Sequence, residues 1–182
     1  MTGVVYLLYF LLAIFATLLN GPRLVVYSYI VNLIAILCYI ALTLLLYYLF
    51  KPVSSNLSLL AALVSLAGCT ITTLNLFNLA LHISPIAFFG PYCILLGYLI
   101  LRSAFLPKVL GVLMVLAGIG WLLFLSPLVN FLSTYIKVLG ILAEASLMLW
   151  LAIMGVNIQR WRQQAGPLSP PSTPPPDSSA TP

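Results

Sequence analysis

Acidic residues are nearly missing from this chain of 182 residues. It has two Asp or Glu against seven Lys or Arg, with a single His, so that only 5% of residues are charged. An ordinary soluble domain is about 25% charged, and so little charge cannot coat a surface that faces water. A soluble globular enzyme is excluded before any motif is sought. The same scarcity removes most chemistry from the apolar part of the chain. One histidine (His82), one carboxylate inside an apolar stretch (Glu144) and one near the C-terminus (Asp177) cannot be assembled into a Ser-His-Asp set. No HExxH sequence and no carboxylate pair is present for metal or acid–base work, and no GxxxxGK[ST] run for a phosphate loop. Cys38, Cys69 and Cys93 lie in three different apolar stretches without CxxC or Cys/His spacing, so neither a disulfide framework nor a zinc site is implied. The seven cations are scattered singly, and the net charge of +5 makes no basic stripe for a nucleic-acid backbone. The chain reads as non-catalytic, with no metal, no cofactor and no nucleic-acid partner.

What the chain has is apolar length: 63% of its residues are hydrophobic. A helix needs about 20 mostly apolar residues to cross about 30 Å of hydrocarbon. Six stretches qualify, roughly 3–19, 25–49, 57–81, 85–101, 107–126 and 136–157. The sequence therefore predicts an all-α integral membrane bundle of about six transmembrane helices. The breaks carry turn chemistry: Asn20-Gly21-Pro22-Arg23, Lys51-Pro52 through Asn56, His82-Ile83-Ser84-Pro85, Arg102 through Lys108, and Ser126-Pro127. The first stretch is read as a retained helix rather than a cleaved signal, because no Lys or Arg precedes it and no A-x-A site with a polar start follows. Lys51, Arg102, Lys108, Arg160 and Arg162 fall on the N-terminal side of the membrane, against Arg23 and Lys137 on the other. Positive charge marks the cytoplasm, so both termini are expected inside, in a bacterial inner (plasma) membrane. Arg160-Trp161-Arg162 fits an interfacial anchor. The composition turns to Pro, Ser and Thr from Gln163 onward, and residues 161–182 are expected to form a disordered cytoplasmic tail.

Within a bilayer, small and polar residues mark the helix faces that meet protein. Tyr6, Tyr9, Ala13 and Ala16 lie on one face of the first span, and Ser28, Asn32, Ala35, Tyr39, Thr43 and Tyr47 on one face of the second. The third shows Ser58, Ser65, Cys69 and Thr72. Such stripes either pack against other helices, Asn32 and Thr72 included, or line a polar cavity. Gly90 and Gly97 are seven residues apart on span four, as are Gly111 and Gly118 on span five, a spacing that permits close helix approach.

Glu144 is the one expensive residue, eight positions into span six and about 12 Å below its start. A charge at a helix centre costs roughly 2.5–3.5 kcal/mol, which the aliphatic residues around it offset at about 0.3–0.6 kcal/mol each. Three readings stand side by side. Glu144 is neutral and hydrogen-bonded to a Tyr, Asn or Ser of spans one to three; or it is a proton or cation site, with His82 as a relay; or it meets another subunit. A direct pair with Lys137, about two helical turns away, is not expected. Arg102, at the inner interface beside Ser103 and Pro107, reads either as a snorkelling, orienting cation or as a contact for a lipid headgroup or partner carboxylate.

The run from Leu96-Gly97-Tyr98 through Arg102-Ser103-Ala104-Phe105-Leu106-Pro107-Lys108 to Gly111, then Leu116-Ala117-Gly118-Ile119-Gly120-Trp121, resembles a bacterial membrane family of unknown function, the one numbered 4386. So does Glu144-Ala145-Ser146-Leu147-Met148-Leu149-Trp150-Leu151, ending at Gly155-Val156, and less specifically Lys51-Pro52-Val53 through Leu63. The resemblance is most specific over about 90–157 and points to Gly97, Arg102, Ser103, Pro107, Gly111, Glu144 and Trp150. It implies a helical membrane fold and supplies no reaction, substrate or cofactor. Family members often carry a longer polar loop where this chain has a bare Asn-Gly-Pro-Arg turn. The expected function is a small accessory or scaffold subunit packing against other membrane proteins or lipids, with the lipid bilayer as its constant partner. The alternative is a proton- or cation-coupled transporter that uses Glu144.

Overall fold

The computed structural model describes residues 2–18, 25–77, 79, 84–125 and 133–166. They form seven helices: α1 (Thr2–Leu18), α2 (Val25–Phe50), α3 (Ser55–Leu76), α4 (Ile86–Arg102), α5 (Lys108–Leu123), α6 (Ser133–Ile153) and α7 (Ile158–Ala165). The protein is an all-α membrane bundle. Its backbone chooses the helix because lipid offers no partner for N–H and C=O groups, which must then be satisfied within each segment. Among the described residues, Val26–Phe50, Ser55–Leu76 and Ser133–Ile153 are long and apolar enough to cross a membrane. α1, α4 and α5 are apolar but shorter, 17, 17 and 16 residues, or about 25 Å each at 1.5 Å per residue.

α1 to α6 stand in a ring in chain order, each packed on the next, and α6 closes on α1. Unlike those of a water-soluble bundle, the large apolar side chains face outward as well as inward. Branched aliphatics such as Val4, Val26, Leu63, Val109 and Ile141 are exposed, while Thr43, Ser58, Ser65 and Ser103 are buried. The buried hydroxyls are all bonded. Thr43 Oγ1 and Ser65 Oγ are 2.8 Å apart across α2 and α3, and Ser58 Oγ donates to Tyr47 O at 2.9 Å. Ser103 Oγ donates to Ile100 O at 2.8 Å, capping α4 where it ends at Arg102. With exposed apolar groups outside and small polar groups inside, the bundle presents hydrocarbon to lipid and hydrogen bonds to itself.

The two ends of the ring differ. At the end that carries the start of α1, the α2–α3 and α4–α5 connections and the end of α6, the core is dense. Phe50, Leu42, Leu96, Leu99, Ile100, Met114 and Leu147 are almost wholly buried, and the short α4–α5 connection tucks Phe105 and Leu106 inside. Phe105 stacks on Phe50 at 5.8 Å between ring centroids. α4 and α5 lie backbone to backbone: a Cβ on Gly97 would come 2.7 Å from Gly111 O, and one on Gly111 2.8 Å from Gly97 O. One turn-pair further along, in the same antiparallel register, a Cβ on Gly118 would come 2.8 Å from Gly90 O. The ring closes through another glycine, Gly3 of α1, whose missing side chain makes room for the backbone of Leu151 and Ala152 on α6.

α6 ends at Ile153, four residues before the expected 157, because Gly155 takes a left-handed φ of +64°. The Gly155 and Met154 N–H groups both return to Trp150 O, at 3.1 and 2.9 Å. Asn157 then caps a new helix, its Oδ1 accepting from Arg160 N–H at 3.2 Å. This corrects the expectation of a disordered tail from residue 161: residues 158–165 are helical, and the expected tail from 167 onward lies outside the described residues. α7 is held by its side chains, where the sequence suggested an interfacial anchor at Arg160-Trp161-Arg162 and then a disordered tail. Trp161 Nε1 donates to Leu49 O at 2.9 Å. Gln164 grips the α4–α5 connection twice, accepting from Ala104 N–H at 3.1 Å and donating to Arg102 O at 3.2 Å.

Candidate functional site

The polar stripes foreseen on the first three spans divide along their length. Toward the dense end they pack, as Thr43 with Ser65 does. In the other half they line a cavity of about 420 Å³ bounded by α1 to α5. α1 contributes Tyr9, Ala13 and Ala16; α2 contributes Asn32, Ala35 and Tyr39; α3 contributes Ser65, Gly68, Cys69 and Thr72; α4 contributes Phe88, Phe89 and Tyr92; and α5 contributes Trp121. Asn32 and Thr72 do not bond across helices as packing residues. Asn32 Nδ2 donates to Ser28 O at 2.8 Å and Thr72 Oγ1 to Gly68 O at 2.9 Å, each within its own helix, because the space opposite them is the cavity. Gly97, Gly111 and Gly118 are brought together at the α4–α5 contact described above.

The cavity wall is aromatic and continuous. Ring centroids follow one another from Tyr6 to Tyr9 (6.4 Å), Tyr39 (4.8 Å), Tyr92 (6.3 Å), Phe89 (6.3 Å), Trp121 (5.7 Å) and Phe124 (6.0 Å). These separations lie in the ordinary range of tilted and edge-to-face pairs. The chain of rings ends under a cation, with Lys137 Nζ 5.5 Å from the Phe124 centroid. Trp121 owes its place to Gly140 of α6, where a Cβ would come 2.8 Å from the indole ring. Its Nε1 is buried there without an acceptor, an arrangement that costs about 1–3 kcal/mol.

Glu144 is half-buried on α6 and is the one carboxylate among the described residues. Its carboxyl stands within electrostatic reach of the Tyr6, Tyr9, Tyr39 and Tyr92 hydroxyls and the Cys93 thiol. Three of those tyrosines also line the cavity, so the acid stands behind the aromatic wall rather than in the lining. No described cation is set against it: Lys137 lies over Phe124, and Arg102 is exposed with its guanidinium 5.1 Å from the Tyr98 ring. Arg102 and Glu144 are thus not brought together, and His82 lies outside the described residues. No group of three or more metal-ligating side chains occurs among the described residues.

The profile of the Domain of unknown function family DUF4386 matches the chain in two overlapping stretches, residues 16–83 and 69–155. The chain belongs to this family. An uncharacterised protein of Archaeoglobus fulgidus is 31% identical over 141 residues, which cover 71% of this chain and 85% of the archaeal one. No solved structure matches. The matched span begins at Ala16 and so takes in only the last turn of α1, leaving out Tyr9 and Ala13, but it covers the other cavity helices, the α4–α5 glycine contact and Glu144. Of the residues the resemblance points to, Gly97, Ser103 and Gly111 hold the dense end, Pro107 precedes the first turn of α5, and Trp150 packs half-buried against the core.

Sequence reading missed the aromatic wall and Gly140. Tyr9 and Tyr39 stood on the polar stripes, but Phe88, Phe89, Tyr92 and Trp121 sit on spans that looked smooth. The available signal was that Tyr92 lies three and four residues after Phe89 and Phe88, on one helix face just after Pro85.

Proposed function

We propose that this protein is a small non-catalytic membrane component whose working part is the cavity between α1 and α5, where it holds an apolar or amphiphilic molecule. The observation that carries this reading is the cavity itself. Its volume of about 420 Å³ lies within the ~300–1,000 Å³ of small-molecule sites, and its aromatic wall interrupted by few polar groups is the usual make-up of such sites. In this role the protein serves as an accessory subunit or carrier for lipids and neighbouring membrane proteins. Five exposed cations, Lys51, Arg102, Lys108, Arg160 and Arg162, at the dense end support a plasma-membrane orientation with both chain ends cytoplasmic. The cavity then lies in the outer half of the bilayer.

The test is saturable binding of the neutral aryl probe triphenylphosphine oxide and of its charged counterpart tetraphenylphosphonium to the detergent-purified protein. Ala35→Phe places a ring in the cavity and is expected to weaken binding by tenfold or more, about 1.4 kcal/mol, while helicity is kept. Failure of both probes to bind, or equal binding by the variant, sinks the reading. Native mass spectrometry in lipid nanodiscs would identify both a retained small molecule and any stoichiometric partner subunit.

A second reading, a proton- or cation-coupled transporter, is favoured by one observation: Glu144 interacts with three tyrosines of the cavity wall. In proteoliposomes Glu144→Gln would abolish coupled flux if that reading holds.

A further inference from the structure

Three features meet at the cavity wall. Tyr9, Tyr39 and Tyr92 form consecutive ring contacts at 4.8 and 6.3 Å, and all three line the cavity. Phe89 and Trp121 continue the wall. Glu144, the one carboxylate among the described residues, stands on α6 within electrostatic reach of all three tyrosines. The described cations are engaged or placed elsewhere: Lys137 lies over Phe124, Arg102 over Tyr98, and Arg160 Nη1 reaches Ala104 O at 3.4 Å. Lys51, Lys108 and Arg162 are exposed on segments at the dense end.

We propose that the cavity takes a hydrophobic organic cation, an ammonium or phosphonium bearing apolar substituents, with the tyrosine wall as its cation–π surface and Glu144 as its counter-charge. This rests on the cavity being a binding site and goes further by assigning the charge of its occupant. Aromatic faces carry negative potential and attract cations within about 6 Å of a centroid. An acid behind such a wall adds attraction at longer range, because the low dielectric of the membrane interior screens it little. An anion would meet both with repulsion. A neutral molecule would gain from the rings and the volume but would leave the costly burial of Glu144 without a function in binding. A cation uses the rings, the volume and the acid together. Glu144 acts here as a positioning charge: it does not line the cavity and need not touch the ligand.

The experiment titrates the full-length protein, in a neutral maltoside detergent, with tetraphenylphosphonium and with neutral triphenylphosphine oxide. The cation is expected to bind about tenfold or more tightly than the neutral probe. Glu144→Gln is expected to remove that preference while leaving the neutral probe's affinity unchanged, so that the neutral probe also reports a folded cavity. Glu144→Asp keeps the charge and is expected to keep the preference to within about threefold. Tyr39→Leu, a second variant that leaves the acid in place, is expected to weaken the cation more than the neutral probe. If the two probes bind alike and Glu144→Gln changes neither, the cation inference is overturned and the cavity reading stands. If neither probe binds, both fall. Adding phosphatidylethanolamine to the bound complex separates two sources of the same chemistry. Displacement of tetraphenylphosphonium supports an ammonium-bearing lipid as occupant, and its retention supports a free cation.

Discussion

The two halves of the bundle are built from the same helices and reach opposite results. At the dense end the α4–α5 contact is made by Gly97 and Gly111, the connection between those helices fills the interior with Phe105 and Leu106, and α7 is hydrogen-bonded over the outside. In the other half Tyr9, Tyr39, Phe88, Phe89, Tyr92 and Trp121 stand between the helices and surround about 420 Å³. At the dense end glycines let α4 and α5 meet and large side chains, Phe50, Phe105 and Leu106 among them, fill the interior. In the other half Ala13, Ala16, Ala35 and Gly68 leave room between the helices that the surrounding rings do not fill, and that space is the cavity. One apolar composition thus yields a lock and a container, according to side-chain size along each helix.

The largest effect expected on this contrast is at the lock. Gly97→Leu drives a side chain into Gly111 O and the Val115 backbone nitrogen, both under 3 Å from the position of a Cβ. Overpacking of this kind costs about 1–3 kcal/mol, and more where backbone is the obstacle. We expect about 3 kcal/mol or more, read as loss of the folded fraction in thermal melts monitored by circular dichroism in detergent. A smaller effect is expected from Trp161→Phe, which deletes the bond to Leu49 O and should lower stability by about 1 kcal/mol. The same change in the other half, Trp121→Phe, should move stability by less than about 0.5 kcal/mol, since the ring contact it loses is offset by removal of a buried N–H without a partner. Equal costs for the two tryptophans, measured in the same melts, would erase the distinction between a held end and a hollow one.

The fold class was legible because lipid leaves the backbone so few choices. Apolar runs of sufficient length, punctuated by Asn-Gly-Pro and Lys-Pro, have a helical bundle as their outcome. The α4–α5 glycines were marked by their spacing of seven, and the antiparallel register then opposes Gly90 to Gly118 and Gly97 to Gly111. Gly3 was not marked, since one glycine near the start of a helix has no period. The cavity was only half legible. Stripe positions such as Asn32 and Thr72 announce a face that turns from lipid, but whether protein or empty space lies opposite depends on the neighbours' rings. α7 was missed for a related reason. Its eight residues, Ile158 to Ala165, carry no apolar run, and what fixes them is a set of bonds to carbonyls of α2 and of the α4–α5 connection, far away in the chain.

The contact between Gly3 and the Leu151–Ala152 backbone has a consequence in time as well as in space. Among the described helices, α1 is made before the others and finishes its packing against α6, the last long one. At about 5–20 residues per second the interval is on the order of ten seconds. Throughout it α1 must wait in the bilayer or at the insertion machinery with its α6-facing side unmatched, and only the arrival of α6 turns an open row of staves into a closed vessel.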